Sequence, residues 1–239
     1  MQNVLEVKGL NKNYQTFSLS DVTFSMPKGS IMAFIGRNGA GKTTTIKAIL
    51  NFIKKDGGSI EIFGLDNVKD ELEIKKNIGF ASGGVDYYKN KKIKDVVNIT
   101  KTFYDNWDEQ AYQKYMEVFM LDQNKQVKQL SQGMKVKLNL ALALSHGAKL
   151  LILDEPTSGL DPVSRDEILT ILEKLNQKGV SILFSTHITS DLEKCATHVT
   201  YIKQGKIIAS APKEEFKQIF SGETLEQIMI NQEKRDIEL

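Results

Sequence analysis

The sequence predicts an α/β fold: a largely parallel sheet with helices packed on it, interrupted by an all-α insertion. Three observations support that class. Short, almost continuous apolar runs mark strands buried on both faces. Stretches of helical period separate them, and one central segment keeps the helical period throughout.

The elements follow in order. "NVLEVKGL" and "FSLSDVTFSM" alternate apolar and polar residues and read as strands, with "MPKGS" as the turn before the next one. "IMAFI" (Ile31–Ile35) is apolar throughout, as a buried parallel strand requires. A glycine-rich turn comes next, then a helix expected through Thr44–Phe52, and "SIEIFG" as another strand. From about Tyr87 to His146 the pattern is helical. "IKDVVNITKTFY" has apolar residues at 93, 96, 97, 99 and 103. "DEQAYQKYMEVFML" offers Asp108 as an N-cap and a stripe at 112, 115, 116 and 119. The strand "LLILDE", the helix "VSRDEILTILEKLNQ" closed by Gly179, and the strand "VSILFSTH" then restore the α/β alternation. The tail after Ala211 is charged and helical in pattern, and is expected to be a solvated surface appendage.

Composition narrows the function. With 239 residues and 41% hydrophobic content, the chain suits one large soluble domain or two small ones. It has no run of apolar residues long enough to span a bilayer, and "MQNVLEVKGL" has no signal-peptide core. The single cysteine, Cys195, excludes an internal disulfide framework and fits a reducing compartment. A net charge of +2, from 32 basic residues scattered among 30 acidic ones, gives no reason to expect nucleic acid as the partner.

Three motifs carry chemistry. "GRNGAGKTT" (Gly36–Thr44) fits G-x-x-x-x-G-K-[ST] between a buried strand and a helix. Glycines let backbone N–H groups close around phosphate oxygens, and the helix adds the positive end of its dipole. Gly36, Asn38, Gly39, Ala40 and Gly41 would therefore wrap a nucleotide's phosphates. Lys42 would hold the β/γ-phosphates, Thr43 would ligate Mg²⁺, and Thr44 would reach a nearby phosphate oxygen. "LLILDEP" (Leu150–Pro156) ends a buried strand in two carboxylates, at the end of an open sheet where ligands sit. Because side chains alternate along a strand, Asp154 is expected to face the metal and hold it through water, while Glu155 polarises the attacking water. In "FSTH", His187 ends another buried strand, where an imidazole can stabilise transition-state charge. His146 and His198 are read as surface or satisfied core residues.

The order of phosphate loop, "LSQGM", "LLILDEP", "SGLD" (Ser158–Asp161) and "STH" resembles the nucleotide-binding subunit of an ATP-binding-cassette (ABC) transporter over nearly the whole chain. The resemblance is strongest to bacterial exporters of the bacitracin- and lantibiotic-resistance type, with "FYDNWDEQAY" and "TLEQIMI" as the subgroup cues. It implies a P-loop NTPase core with an N-terminal antiparallel β subdomain and an inserted all-α subdomain. Residues 1–86 and 147–211 would form the core, 87–146 the helical part, and 212–239 a helical tail. It implies an ATP hydrolase using ATP and Mg²⁺ and working as a dimer, either a homodimer or a pair with a related ATPase. The chain would sit at the cytoplasmic face of the membrane beneath a transmembrane permease and power export of antimicrobial or amphipathic peptides or a lipid-like substrate. Ser131, Gln132 and Gly133 would touch the γ-phosphate bound by the other subunit, Tyr14 would stack on adenine, and Ser158, Gly159, Leu160 and Asp161 would form the D-loop.

Two departures from the family pattern stand out. Gln132 and Met134 replace a Gly and a Gln of the usual LSGGQ signature, and Gly83 stands where a Gln contacts Mg²⁺ and the catalytic water. Either Asp86 or a water takes over there, or the contact is absent; the two glycines, Gly83 and Gly84, predict a pliable segment from Gly83 to Tyr88. The alternative function is a non-transport ABC ATPase regulating a membrane or nucleic-acid process. A GTPase would need an N-K-x-D motif, which is absent, and a chromosome-type ATPase would need long insertions between the motifs.

Overall fold

The computed structural model describes residues 2–82, 88–221 and 223–233. β1 (Asn3–Asn13) and β2 (Ser18–Pro27) pair antiparallel and, with β4 (Gly57–Ile62) and β5 (Leu65–Asp66), form a four-stranded sheet in the order β2-β1-β4-β5. The second sheet has six strands: β3 (Ile31–Ile35), β6 (Ile78–Ser82), β7 (Leu150–Asp154), β8 (Ser181–Thr186), β9 (His198–Lys203) and β10 (Lys206–Pro212). Their order is β10-β9-β3-β8-β7-β6, parallel except for the β9–β10 hairpin.

Every residue of β3, β7 and β8 is buried, because each strand feeds two cores. Ile31, Ala33 and Ile35 point to the side shared with the helical region, while Met32 and Phe34 point toward the antiparallel sheet. Register then sets the site. Ile35 lies beside Thr186 and Ser185 beside Asp154, so the residues leaving β3, β7 and β8 emerge at one sheet edge.

Between the sheets run α1 (Lys42–Ile49) and α2 (Glu71–Lys76). α1 starts two residues earlier than expected and ends sooner, because Asn51 adopts a left-handed turn (φ 55°) just past Leu50. α3 (Ile93–Lys101), α4 (Glu109–Val118) and α5 (Gln132–Ser145) make the helical region. Asp108 caps α4 by accepting from the Ala111 N–H at 2.9 Å. α5 continues out of that region into the main core. A Cβ on Gly79 of β6 would lie 2.3 Å from the Ala143 Cβ, so the strand and helix approach only because position 79 has no side chain.

α6 (Pro162–Gln177) and α7 (Thr189–Cys195) cover the sheet. The tail overturns one expectation. α8 (Lys213–Ile219) and α9 (Leu225–Glu233) bury Phe216, Leu225 and Ile228 in the main core, so these two helices of the tail are docked rather than solvated. The charges that suggested an appendage occupy only the outer face of these helices.

His146 also departs from its reading as a satisfied residue. Its ring stacks on Tyr104 at 3.8 Å, and its buried Nδ1 has no hydrogen-bond partner. Burial holds its pKa below the ordinary 6.5. Between that lowered value and 6.5 the unfolded chain binds more protons, so stability falls as the pH drops through this window. His146→Phe is expected to flatten the dependence, leaving the slope from His198, whose pKa burial also lowers. Urea midpoints at about pH 7.5 and about pH 5.5 measure it. An equal shift in both proteins would exclude His146 as its source.

Candidate functional site

The glycine-rich turn between β3 and α1 forms because other side chains would not fit. A Cβ on Gly36 would lie 2.3 Å from the Ile202 carbonyl oxygen. Gly41, at φ 116°, would collide with Leu19 and Phe17. The turn borders a cleft of 630 Å³, lined by residues of the phosphate loop together with Thr16, Phe17, Glu155, Ser158 and His187.

Lys42 is buried, and its ammonium is fully engaged. Nζ donates to the Gly36 carbonyl at 2.7 Å and the Arg37 carbonyl at 3.3 Å, and lies 3.2 Å from Glu155 Oε1. Glu155 Oε2 accepts from His187 Nδ1 at 2.8 Å. Lysine, glutamate and histidine therefore form a continuous polar chain along the cleft. An anion entering beside Lys42 would compete with Glu155 for the ammonium and free that carboxylate to act.

Asp154 faces the other way. Its Oδ2 accepts from Thr43 Oγ1 at 2.9 Å and its Oδ1 from Ser185 Oγ at 2.6 Å. The separation of the two carboxylates has a different cause from the expected strand alternation. β7 ends at Asp154, and Glu155 sits at φ 53°, a left-handed conformation rare for a non-glycine residue. That turn re-aims the Glu155 side chain, and Ser185 Oγ secures it by accepting the Glu155 N–H at 2.9 Å. Ser185 was missed in the sequence, although it stands in the same "STH" that pointed to His187.

The remaining expected residues divide. Asn38, Gly39, Gly41, Thr43, Thr44 and Ser158 line the cleft. Ala40 is buried beneath the loop and braces it, its carbonyl accepting from the Gly205 N–H at 2.9 Å. Tyr14 is not in the lining. It stands 48% exposed beyond the end of β1, with the Lys12 ammonium 5.4 Å above its ring. The aromatic residue that does line the cleft is Phe17, whose carbonyl accepts from the Tyr14 N–H in the same turn. Gly83 and Asp86 lie outside the described residues.

Ser131, Gln132 and Gly133 do not line this cleft. Ser131 is exposed and N-caps α5, accepting from the Met134 N–H at 3.2 Å. Gly133 is buried against the start of α6, where a Cβ would meet Ser164 at 3.6 Å and Leu160 at 3.8 Å. Asp161 caps α6 by accepting from the Val163 and Ser164 N–H groups, each at 3.0 Å. Its carboxyl is held below its ordinary pKa, first by the Ser164 hydroxyl and then by that residue's N–H. The segment from Ser158 to Asp161 thus runs from the cleft at one end to the first turn of α5 at the other. Among the described residues, no helix is long and apolar enough to cross a membrane.

Comparison with known proteins gives the family. Residues 19–158 match the ABC transporter family. The chain is 35% identical over 221 residues to the bacitracin transport ATP-binding protein BcrA of Bacillus licheniformis, covering 91% of this chain and 72% of that one. It is 35% identical over 231 residues to the lantibiotic transport ATP-binding protein SrtF of Streptococcus pyogenes, covering 96% and 97%. A solved ATP-binding subunit of an ABC transporter superposes with a TM-score of 0.86 at 27% identity, covering 97% of this chain and all of the other.

Proposed function

This chain belongs to the ABC transporter ATP-binding family, whose ATP hydrolysis is coupled to transport, and from that premise we propose how its own residues do the work. Two copies, or this chain and a related ATPase, sandwich two ATP molecules. Each ATP lies between the Gly36–Thr44 loop of one copy and the Ser131–Gly133 turn of the other. One observation carries the reading: the loop, Glu155 and His187 share one cleft, while Ser131 is exposed outside its lining. That turn can cap only a nucleotide bound elsewhere.

Lys42 takes the β- and γ-phosphates, and Glu155, released from Lys42, orients and polarises the attacking water. His187 donates to the γ-phosphoryl as charge develops there. Tyr14 and Phe17, in the turn after β1, receive the adenine end. Thr43 Oγ1 and Asp154 Oδ2, 2.9 Å apart, are hard oxygen donors that fit Mg²⁺ completed by phosphates and waters. When bound, Mg²⁺ would supply neutralisation of phosphate charge.

The chain works at the cytoplasmic face of the membrane against a permease subunit. Its substrate class is the amphipathic peptide antibiotic, by likeness to the bacitracin and lantibiotic transport proteins. Ser131→Arg tests the sandwich. Each chain should bind ATP with normal affinity yet fail to dimerise with ATP and Mg²⁺ in gel filtration. Normal dimers would refute the action of the Ser131 turn in trans. Export of a lantibiotic-like peptide into inverted vesicles containing this chain and its copurifying membrane polypeptide tests the substrate class; ATP-independent or absent export would refute it.

A further inference from the structure

A buried carboxylate outside the cleft joins the two turns that carry Glu155 and His187. Asp191, in α7, is wholly buried. Its Oδ2 accepts from Thr157 Oγ1 at 2.6 Å and from Thr186 Oγ1 at 3.2 Å. Its Oδ1 accepts from Arg165 Nε, and the same guanidinium reaches Ser190 Oγ. Thr157 is two residues after Glu155, and Thr186 immediately precedes His187. Arg165 lies in the first turn of α6, beside the Ser164 that faces Gly133.

A carboxylate removed from water needs its lone pairs answered, and donors from three separate elements answer this one. Stability alone would be served by an apolar side chain of similar volume at that point. The arrangement does something an apolar residue cannot. A single oxygen, Oδ2, binds the Glu155 turn and the end of β8 together, and so fixes the spacing between them. Glu155 needs such bracing. Its left-handed backbone persists only where the surroundings over-determine it, and Ser185 supplies just one restraint on that turn. At His187, Thr186 Oγ1 braces the following residue as well, accepting the Ile188 N–H at 3.0 Å.

We propose that Asp191 is a positioning residue for hydrolysis: it holds the Glu155 turn and His187 in one geometry and ties both, through Arg165, to the α6 turn that packs on the signature glycine. The inference rests on the reading that Glu155 and His187 act on ATP. It also gives a route by which closure on the Ser131–Gly133 turn of a chain is felt at the catalytic end of its own cleft.

The test uses the full chain with Asp191→Asn and the near-isosteric Thr157→Val and Thr186→Val, which delete one donor each. Each is expected to lower kcat about 10- to 100-fold, since sub-ångström misplacement of a reacting group has that cost. KM and the dissociation constant for a fluorescent ATP analogue should stay within about twofold. Thr157→Val combined with Asp191→Asn should cost less than the product of the two single effects, because the two side chains share one contact. Parallel loss of nucleotide affinity and melting temperature, with turnover per folded molecule unchanged, would reduce Asp191 to a structural part and overturn the proposal. Full turnover in both threonine variants would overturn it as well. Glu155→Gln separates the two layers. If it retains turnover, the underlying reading fails; if it stalls while the Asp191 and threonine variants run normally, only the positioning role fails.

Discussion

Glu155→Gln is expected to slow ATP turnover by about 10²- to 10⁴-fold while leaving ATP binding intact, because general-base help contributes on that scale. The substitution keeps the side chain's size and one acceptor oxygen, so it can accept from Lys42 or from His187 but not from both as Glu155 does at 3.2 and 2.8 Å, and it removes the charge and basicity. Nucleotide binding rests on the loop backbone and on Lys42, whose bonds to the Gly36 and Arg37 carbonyls do not involve position 155. The variant should therefore load ATP, close, and remain closed. Single-turnover hydrolysis and gel filtration with ATP and Mg²⁺ measure the two halves of that expectation. Undiminished turnover would place the base elsewhere, and a variant that no longer binds ATP would show that Glu155 shapes the loop instead.

Lys42→Ala acts one step earlier. Removing one partner of a buried, hydrogen-bonded charge pair typically costs about 2–5 kcal/mol, so ATP affinity should fall by roughly 30-fold to several thousandfold. Two losses combine. The phosphates lose their cation, and Glu155 is left half-buried without its Oε1 partner, repelling the incoming anion. Lys42→Met separates the causes by keeping the buried stem and deleting only the charge. Titration with a fluorescent ATP analogue should show both variants weakened. If Met binds as tightly as lysine, the ammonium is a loop brace and phosphate recognition belongs to the backbone alone.

Much of this site could be read in short windows of sequence. The order of the five motifs, the strand-turn-helix frame around Gly36–Thr44 and the ends of two buried strands at Asp154 and Thr186 are local patterns. They are local because the chemistry needs particular residue types at fixed spacing on one element. Ser185 and Asp191 were passed over for the opposite reason. A serine in a strand and an aspartate in a short helix are ordinary locally, and their work appears only through partners 31 and 34 residues away, at Asp154 and Thr157. The tail misled for a related reason: the apolar contacts of Phe216, Leu225 and Ile228 are widely spaced, and the charges between them dominate any local average. Tyr14 follows from the resemblance alone, and that Phe17 beside it lines the cleft appears only in three dimensions, because position after a strand does not say which way a ring turns.

From the order of its residues alone, this chain is committed to an α/β architecture that grips a triphosphate, since backbone turns, buried strands and capped helices are set by near neighbours. Folding in three dimensions settled how the groups are aimed. Glu155 diverges from Asp154 through a left-handed turn, and Lys42 pairs with that glutamate. Asp191 clasps the Glu155 turn and the end of β8 at once. Those features depend on the register between strands distant in the chain, and no short stretch of sequence encodes a register by itself.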